Sequence, residues 1–215
     1  MKVDMIMNVK KIAALVAVSC AVAFSAFAQG KPDASKEWRN GNYARAIEIC
    51  EAELEANPSN LDSYVVLCWA LVDNKQYAEA EKKATAARKI SSNDVRLIEV
   101  LGEAKYYLDK NADALSLFQM YIARTVENNA YRLGKVYYLT GEIYIRQAKY
   151  EHADIALSMA VRLEPSMSVW WSRLGYAREM ARDYKASVAA YDRALELNPE
   201  LADASRGKAR SQSHL

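Results

Sequence analysis

The chain has 215 residues, with 29 basic and 27 acidic side chains, and 52% of its residues are hydrophobic. It is long enough for one folded domain with a substantial core, and no stretch rich in Gly, Ser or Pro divides it into two. The near balance of charge argues against nucleic acid or an anionic membrane surface as the main target, because both recruit proteins through a basic stripe.

Residues 1–28 have the pattern of a secretory leader. Lys10 and Lys11 precede an apolar run over 12–27, which is followed by an alanine just before Gln29. A charged start, an apolar middle and small residues at the end are typical of a cleavable signal peptide. We therefore predict export, with a periplasmic location for the mature chain in a bacterial cell envelope.

Two other interpretations of this leader stay open. The apolar run is near the lower length limit for crossing a bilayer, so one alternative is a retained membrane anchor. The other is a lipid anchor at Cys20, although the residues before it lack the usual leucine. If the leader is cleaved, we expect no membrane span in the mature chain, which then carries 26 basic and 26 acidic residues.

Beyond the leader, a helix and turn pattern recurs along the chain. Tyr43 and Tyr77 are 34 residues apart, as are Tyr150 and Tyr184, and each follows a polar turn. Self-similarity at this period is typical of a helical repeat array, and no alternation with a period of two appears. A small residue stands three positions after each tyrosine, namely Ala46, Ala80, Ala153 and Ser187.

These repeats resemble the tetratricopeptide repeat. Its pattern is a bulky residue and a Leu-Gly pair on a first helix (helix A), a turn with an aromatic residue, and Ala and Pro positions on and after a second helix (helix B). The last copy matches through Trp171, Leu174, Gly175, Tyr184, Ser187, Tyr191, Ala194, Leu195 and Pro199. The copy before it matches through Tyr137, Gly141, Tyr144, Tyr150, Ala153, Leu157, Ala160 and Pro165, with Thr140 where leucine is usual. The resemblance implies an all-α fold, a right-handed superhelical solenoid of antiparallel helix pairs.

The resemblance divides the mature chain into repeat copies and a cap. A partial copy over 29–60 precedes copies over 61–94, 95–133, 134–167 and 168–201, and residues 202–215 are expected to form a capping helix and tail. Neighbouring copies are expected to share one core, because a single helix pair cannot bury its apolar stripe alone.

Glycines inside helix A have a physical explanation. Gly102, Gly141 and Gly175 are expected where helices A and B cross, since helices approach closely only where the side chains between them are small. A glycine within a helix costs about 1 kcal/mol relative to alanine, so close packing must offset that cost.

The copy over 95–133 contains five residues more than the period requires, between Ile122 and Lys135. One interpretation is a helix B lengthened by a turn and followed by a polar connection. The other is a change in superhelical pitch that shapes a binding pocket or presents Tyr131 and Arg132 to a partner.

The family binds its partners with a concave surface that helix A residues line. Tyr and Trp side chains bury a large area in an interface and also carry a polar group that can form a hydrogen bond. Aromatic residues on the concave surface are therefore candidate contacts. In the alternative interpretation, half of them pack against the adjacent helix A. The resemblance places on this surface Asp62, Val65, Trp69, Val72, Asp73, Arg96, Glu99, Glu103, Tyr106, Tyr107, Lys135, Tyr138, Glu142, Ile145, Arg146, Val169, Ser172, Arg173, Tyr176, Glu179 and Met180. From these, the predicted partner-binding residues are Trp69, Tyr106, Tyr107, Tyr138, Glu142, Arg146, Arg173 and Tyr176.

Two arginines of this set are candidates to hold a carboxylate. The guanidinium groups of Arg146 and Arg173 are planar and pair with a carboxylate through two hydrogen bonds. In the alternative, each is already paired with Glu142 or Glu179. The lysine and asparagine set with which some family members grip a C-terminal carboxylate is missing, which disfavours a receptor for chaperone tails.

The sequence has no pattern typical of catalysis or of metal binding. Neither His152 nor His214 belongs to a His-Glu-x-x-His arrangement, and no Cys-x-x-Cys or serine elbow is present. We therefore predict no enzyme activity and no cofactor. Cys50 and Cys68 remain after leader cleavage, and they either form a disulfide or are two buried small residues.

The sequence thus favours an exported scaffold that binds a protein or peptide partner in the envelope through its concave surface. A second hypothesis is capture of a small or hydrophobic ligand by the aromatic groove around Tyr106, Tyr138 and Tyr176. A third is an oligomerising structural element formed by stacking of the last helix. An open groove favours a partner segment, whereas an enclosed cavity favours a ligand.

Overall fold

A computed structural model describes residues 32–125 and 132–215, and within them all regular structure is helical. The predicted all-α solenoid of helix pairs is confirmed. The leader, including Cys20, and Tyr131 lie outside the described residues. The helices are α1 (Ala34–Arg39), α2 (Tyr43–Ala56), α3 (Leu61–Asp73), α4 (Tyr77–Ile90), α5 (Val95–Tyr107), α6 (Asn111–Arg124), α7 (Leu133–Arg146), α8 (Tyr150–Leu163), α9 (Ser168–Met180), α10 (Tyr184–Leu197) and α11 (Ala202–Gln212).

Each helix A ends in the same way. The residue after its C-cap has a positive φ, and the next N–H donates back across the turn, as from Gln76 to the Leu71 carbonyl at 2.8 Å. This is a Schellman-type helix end, in which a left-handed residue satisfies carbonyls that the helix leaves free. The left-handed residues are Gly41, Lys75, Asp109, Ala148 and Arg182.

Helix A starts are fixed by polar side chains in three of the copies, and the first is Asp33, whose side chain accepts a hydrogen bond from the Lys36 N–H. The Asn60 side chain accepts a hydrogen bond from the Ser63 N–H, and the Asp94 side chain accepts one from the Arg96 N–H. Such N-caps satisfy backbone donors that have no partner within the helix.

The glycines lie at the close crossings within the helix pairs, as predicted. A Cβ at Gly141 would lie 2.5 Å from the Cγ of Leu157 on α8, and one at Gly175 would lie 2.7 Å from the Tyr191 ring on α10. Neither helix pair has room for a side chain at this point.

The five added residues do not lengthen helix B. Helix α6 has 14 residues, as does α4, and it ends at Arg124. The interpretation of a longer helix B is therefore wrong. The addition falls in the connection 125–132, where residues 126–131 lie outside the described part, and Arg132 precedes α7 with a left-handed φ of 73°.

The last helix covers the final pair. Gly207 on α11 lies against the Tyr191 ring, and the Ser187 hydroxyl lies 2.8 Å from the Gly175 carbonyl and 2.9 Å from the Ser211 hydroxyl. Ser187, at the small-residue position of this copy, thus forms hydrogen bonds with its hydroxyl group inside the core.

Two larger groups of buried apolar residues make up most of the core. The first extends from α1 to α7 and the second over α8 to α10, and Tyr137 and Tyr138 on α7 pack against both. Helix α7 therefore links the two parts of the array.

Cys50 and Cys68 are buried free thiols in the structure. Burial raises the pKa of each thiol to about 12. Of the two interpretations of this pair, the structure shows two small buried residues.

Among the described residues, no helix combines the length and the apolar composition that a membrane crossing requires.

Candidate partner-binding groove

An open pocket of about 660 Å³ lies in the middle of the array. We call it the central pocket. It forms where the C-terminal ends of α3 and α5 face the first half of α7 and the start of α9. Its lining residues are Asp73, Tyr107, Arg132, Lys135, Tyr138, Leu139, Glu164, Met167 and Trp170.

The lining of the central pocket is largely aromatic and apolar. Tyr107 and Met167 are 40% and 39% exposed in its wall. Tyr107 stacks on Tyr77 with ring centroids 4.5 Å apart, and Tyr138 stacks on Trp170 at 5.0 Å. Stacking holds these rings in place, so a partner would bind to a surface that is already ordered.

A buried ionic cluster lies next to the central pocket. Glu99 and Glu103 on α5 are almost completely buried, and the Arg132 guanidinium contacts both, with its Nε 3.0 Å from Glu99 Oε1 and an Nη 2.5 Å from Glu103 Oε2. Lys135 forms a second ion pair with Glu103. The Trp69 indole N–H donates to Glu99 at 2.9 Å. We call Glu99, Glu103, Arg132 and Lys135 the buried ionic cluster.

Burial makes Glu99 a weaker acid. It raises the pKa of this carboxyl to about 7, because the attraction of Arg132 and the indole hydrogen bond only partly offset the loss of water. The cluster joins α5 to the residue preceding α7, and thus spans the position of the five added residues.

Several residues that were expected on the concave surface are instead buried. Glu99 and Glu103 lie in the ionic cluster, and Val65, Val72 and Ser172 are also inside. The prediction was wrong for these five because neighbouring A helices pack against each other and cover part of the face that the family pattern assigns to the groove.

Arg132 is likewise turned inward. Its side chain is only 10% exposed and is held by the buried ionic cluster at the edge of the central pocket.

Two of the predicted aromatic contacts have a packing role. Trp69 stacks on Trp38 with ring centroids 5.0 Å apart. Tyr106 is 7% exposed, and the Arg146 guanidinium lies 4.2 Å above its ring. Tyr107 and Tyr138, in contrast, line the central pocket.

The two arginines that were candidates for carboxylate binding already have carboxylate partners. Arg173 donates to both oxygens of Glu142, at 2.6 and 3.0 Å, and Arg146 donates to Asp109 at 2.9 Å. Arg146 therefore pairs with neither glutamate that the sequence suggested.

A smaller pocket of about 260 Å³ lies between α9 and α11, and Arg173 and Tyr176 line it. Arg210 on α11 also lines this pocket and donates to both oxygens of Glu179, at 2.6 and 2.9 Å. The pocket thus contains arginines whose charges are largely compensated.

Sequence reasoning missed Glu164, Met167 and Trp170, which come from the end of α8 and the start of α9. The repeat pattern treats this connection as lying outside the groove. An exposed methionine just before a helix A was the available signal.

Two family models match the chain, both described as tetratricopeptide repeat. One covers residues 33–135 and the other residues 138–202.

Solved structures with the same fold include MamA, at 20% identity and a TM-score of 0.65, over 81% of this chain and 99% of that one. YrrB, described as a TPR protein with an unusual peptide-binding site, has 15% identity and a TM-score of 0.67, over 78% of this chain and 84% of that one. A complex of Cut9 and Hcn1 has 15% identity and a TM-score of 0.73, over 83% of this chain and 35% of that one.

A curated relative is anaphase-promoting complex subunit 3 of Schizosaccharomyces pombe, which is 22% identical over 150 residues. The match takes in 70% of this chain but spans only 22% of that relative.

Proposed function

The chain belongs to the tetratricopeptide repeat family, and on that premise we propose that it is a scaffold that binds a segment of a protein partner in the central pocket. The observation that carries the proposal is the open pocket of about 660 Å³ with Tyr107 and Met167 exposed in its wall. Aromatic residues and methionine are enriched where proteins contact partners. Proteins of this family are generally non-catalytic.

The shape of the pocket favours a protein segment over a small ligand. A small-molecule site usually encloses most of its ligand. The central pocket is instead open to solvent along one side, and it lies between helices of successive copies. An extended or helical segment would cross the pocket and place one side chain inside it.

We also propose that the protein works in a bacterial cell envelope after export. Support comes from the leader pattern over residues 1–28. The mass of the protein purified from envelope fractions tests this, and we expect a chain that begins at Gln29. A full-length chain in the cytosolic fraction would contradict the proposal.

Site-specific photocrosslinking tests binding in the pocket. A photoreactive amino acid is placed at Tyr107 or Met167, and in a matched control at Ile155, which is 69% exposed on α8. In cells that express the protein, we expect both pocket positions to crosslink to the same protein and the control position not to do so. Crosslinks to that protein from Ile155, with none from the pocket, would place the interface elsewhere.

A further inference from the structure

Two carboxylates of the central pocket are available to a partner. Asp73 and Glu164 both line it, and in the part of the chain that the structure describes neither forms an ion pair within 4.0 Å, although Arg132 and Lys135 act on Glu164 from a longer distance. Asp73 accepts a hydrogen bond from the Trp38 indole N–H at 2.7 Å, which leaves its charge uncompensated. The Glu164 side chain lies against the backbone of Gly134 at the start of α7.

The two cations of the pocket are engaged elsewhere. Arg132 and Lys135 pair with the buried Glu99 and Glu103, so the ionic cluster is neutral when both of these glutamates are ionised. Burial raises the pKa of Glu164 above its usual value, and the attraction of Arg132 and Lys135 only partly offsets this effect. Above the pKa of Glu99, where the ionic cluster is neutral, Asp73 and Glu164 therefore determine the charge that the pocket presents.

The remaining wall suits the rest of a basic side chain. Lys and Arg have long apolar stems that pack on apolar surfaces while the charged end reaches a polar partner. The Tyr107 ring and the Met167 side chain provide such a surface beside the two carboxylates. An aromatic face also attracts a cation directly.

We propose that the central pocket selects its partner segment by a lysine or arginine side chain, which lies along Tyr107 and Met167 and pairs with Asp73 and Glu164. This inference rests on the proposed function and specifies the chemistry of the partner. A segment with apolar residues on either side of the basic residue fits the open groove.

Selection of random peptides displayed on phage, with the full chain as bait, tests this. We expect the selected peptides to be enriched in Lys or Arg next to apolar residues. The test variant Asp73→Asn/Glu164→Gln keeps the side-chain shape and one acceptor oxygen at each position but removes both charges. The matched control Glu55→Gln/Glu151→Gln makes the same charge change at exposed positions on α2 and α8.

A synthetic peptide of the selected sequence and its copy with norleucine at the basic position complete the design. We expect the norleucine copy to bind the unmodified chain and the control variant about tenfold more weakly than the selected peptide does. A tenfold loss of affinity is the effect expected when two partly exposed ion pairs are removed. The test variant should bind both peptides equally. Thermal melts followed by circular dichroism establish that each variant is folded.

The outcomes separate this inference from the proposed function. If the selected peptides lose affinity for Tyr107→Ala/Met167→Ala but show no excess of Lys or Arg, the charge preference is wrong and the pocket still binds peptides. If no peptide is selected, or if binding is unaffected by Tyr107→Ala/Met167→Ala, both proposals are overturned. If the norleucine substitution weakens peptide binding equally in the unmodified chain, the test variant and the control variant, Asp73 and Glu164 do not recognise the basic side chain.

Discussion

Gly141 lies where α7 crosses α8, and Leu157 occupies the space in which any larger residue would place its Cβ. At an exposed helical position, Gly→Ala stabilises a protein by about 1 kcal/mol. We expect Gly141→Ala to have the opposite sign and to lower the free energy of unfolding by about 2 kcal/mol, as is usual for an overpacked core. Urea denaturation measures this difference.

A double-mutant cycle identifies the cause. Leu157→Ala alone should cost about 2 to 5 kcal/mol because it leaves a cavity. If Leu157 is what opposes a Cβ at position 141, the double variant should lose clearly less stability than the two single variants together. Additive losses would mean that Gly141 is required for another reason.

At the scale of residues, the sequence predicted local features better than burial. The glycine crossings could be predicted because each depends on one helix pair and a fixed spacing. Tyr106 and Tyr107 could not be distinguished, since adjacent residues of a helix point in different directions and both fit an aromatic groove. Tyr106 became buried because Arg146, 40 positions later in the chain, covers its ring.

At the scale of elements, the sequence located the five added residues but not their conformation. Helix B packs between its own helix A and the next one, so its length is fixed by both neighbours. Helix α6 therefore keeps 14 residues and the addition enters the connection. The contacts of Arg132 with Glu99 and Glu103 join residues about 30 positions apart, and no local pattern could have shown them.

The buried ionic cluster that joins α5 to α7 makes stability depend on pH. The pKa of Glu99 is about 7 in the folded chain, above its ordinary 4.5, so between these values the folded state holds a proton that the unfolded chain releases. Stability from this group is complete at low pH and is lost as pH rises through 7, by an amount on the order of 3 kcal/mol. Glu99→Gln cannot lose that proton.

We therefore expect the variant Glu99→Gln to gain stability relative to the unmodified chain as the pH rises from about 5 to about 8. Chemical denaturation at several pH values gives the difference in unfolding free energy. In the control, Glu55→Gln changes an exposed carboxylate on α2, and its difference should not vary over this range. A flat profile for Glu99→Gln would show that Glu99 titrates normally and that the ion pairs fully compensate its burial.

At the scale of the whole molecule, each helix pair of a repeat array is stabilised mainly by its contacts with the adjacent pairs. Within the described residues, helix α11 packs mainly on α9 and α10, where it contacts Tyr191 and the Ser211 hydroxyl lies 2.9 Å from the Ser187 hydroxyl. Removal of residues 202–215 would expose the Tyr191 side chain, which is 1% exposed in the intact chain. Loss of this burial should weaken the last helix pair directly and the distant pairs hardly at all.

Hydrogen exchange measured by mass spectrometry tests this distribution. In the chain without residues 202–215, we expect amide exchange in α9 and α10 to accelerate about tenfold or more, as the exposure of one large side chain implies. Exchange in α3 and α4 should stay close to that of a control that lacks only residues 213–215. Equal acceleration in α3 would show that the array unfolds as one cooperative unit, and α7, whose Tyr137 and Tyr138 pack against both parts of the core, would then be the element that couples them.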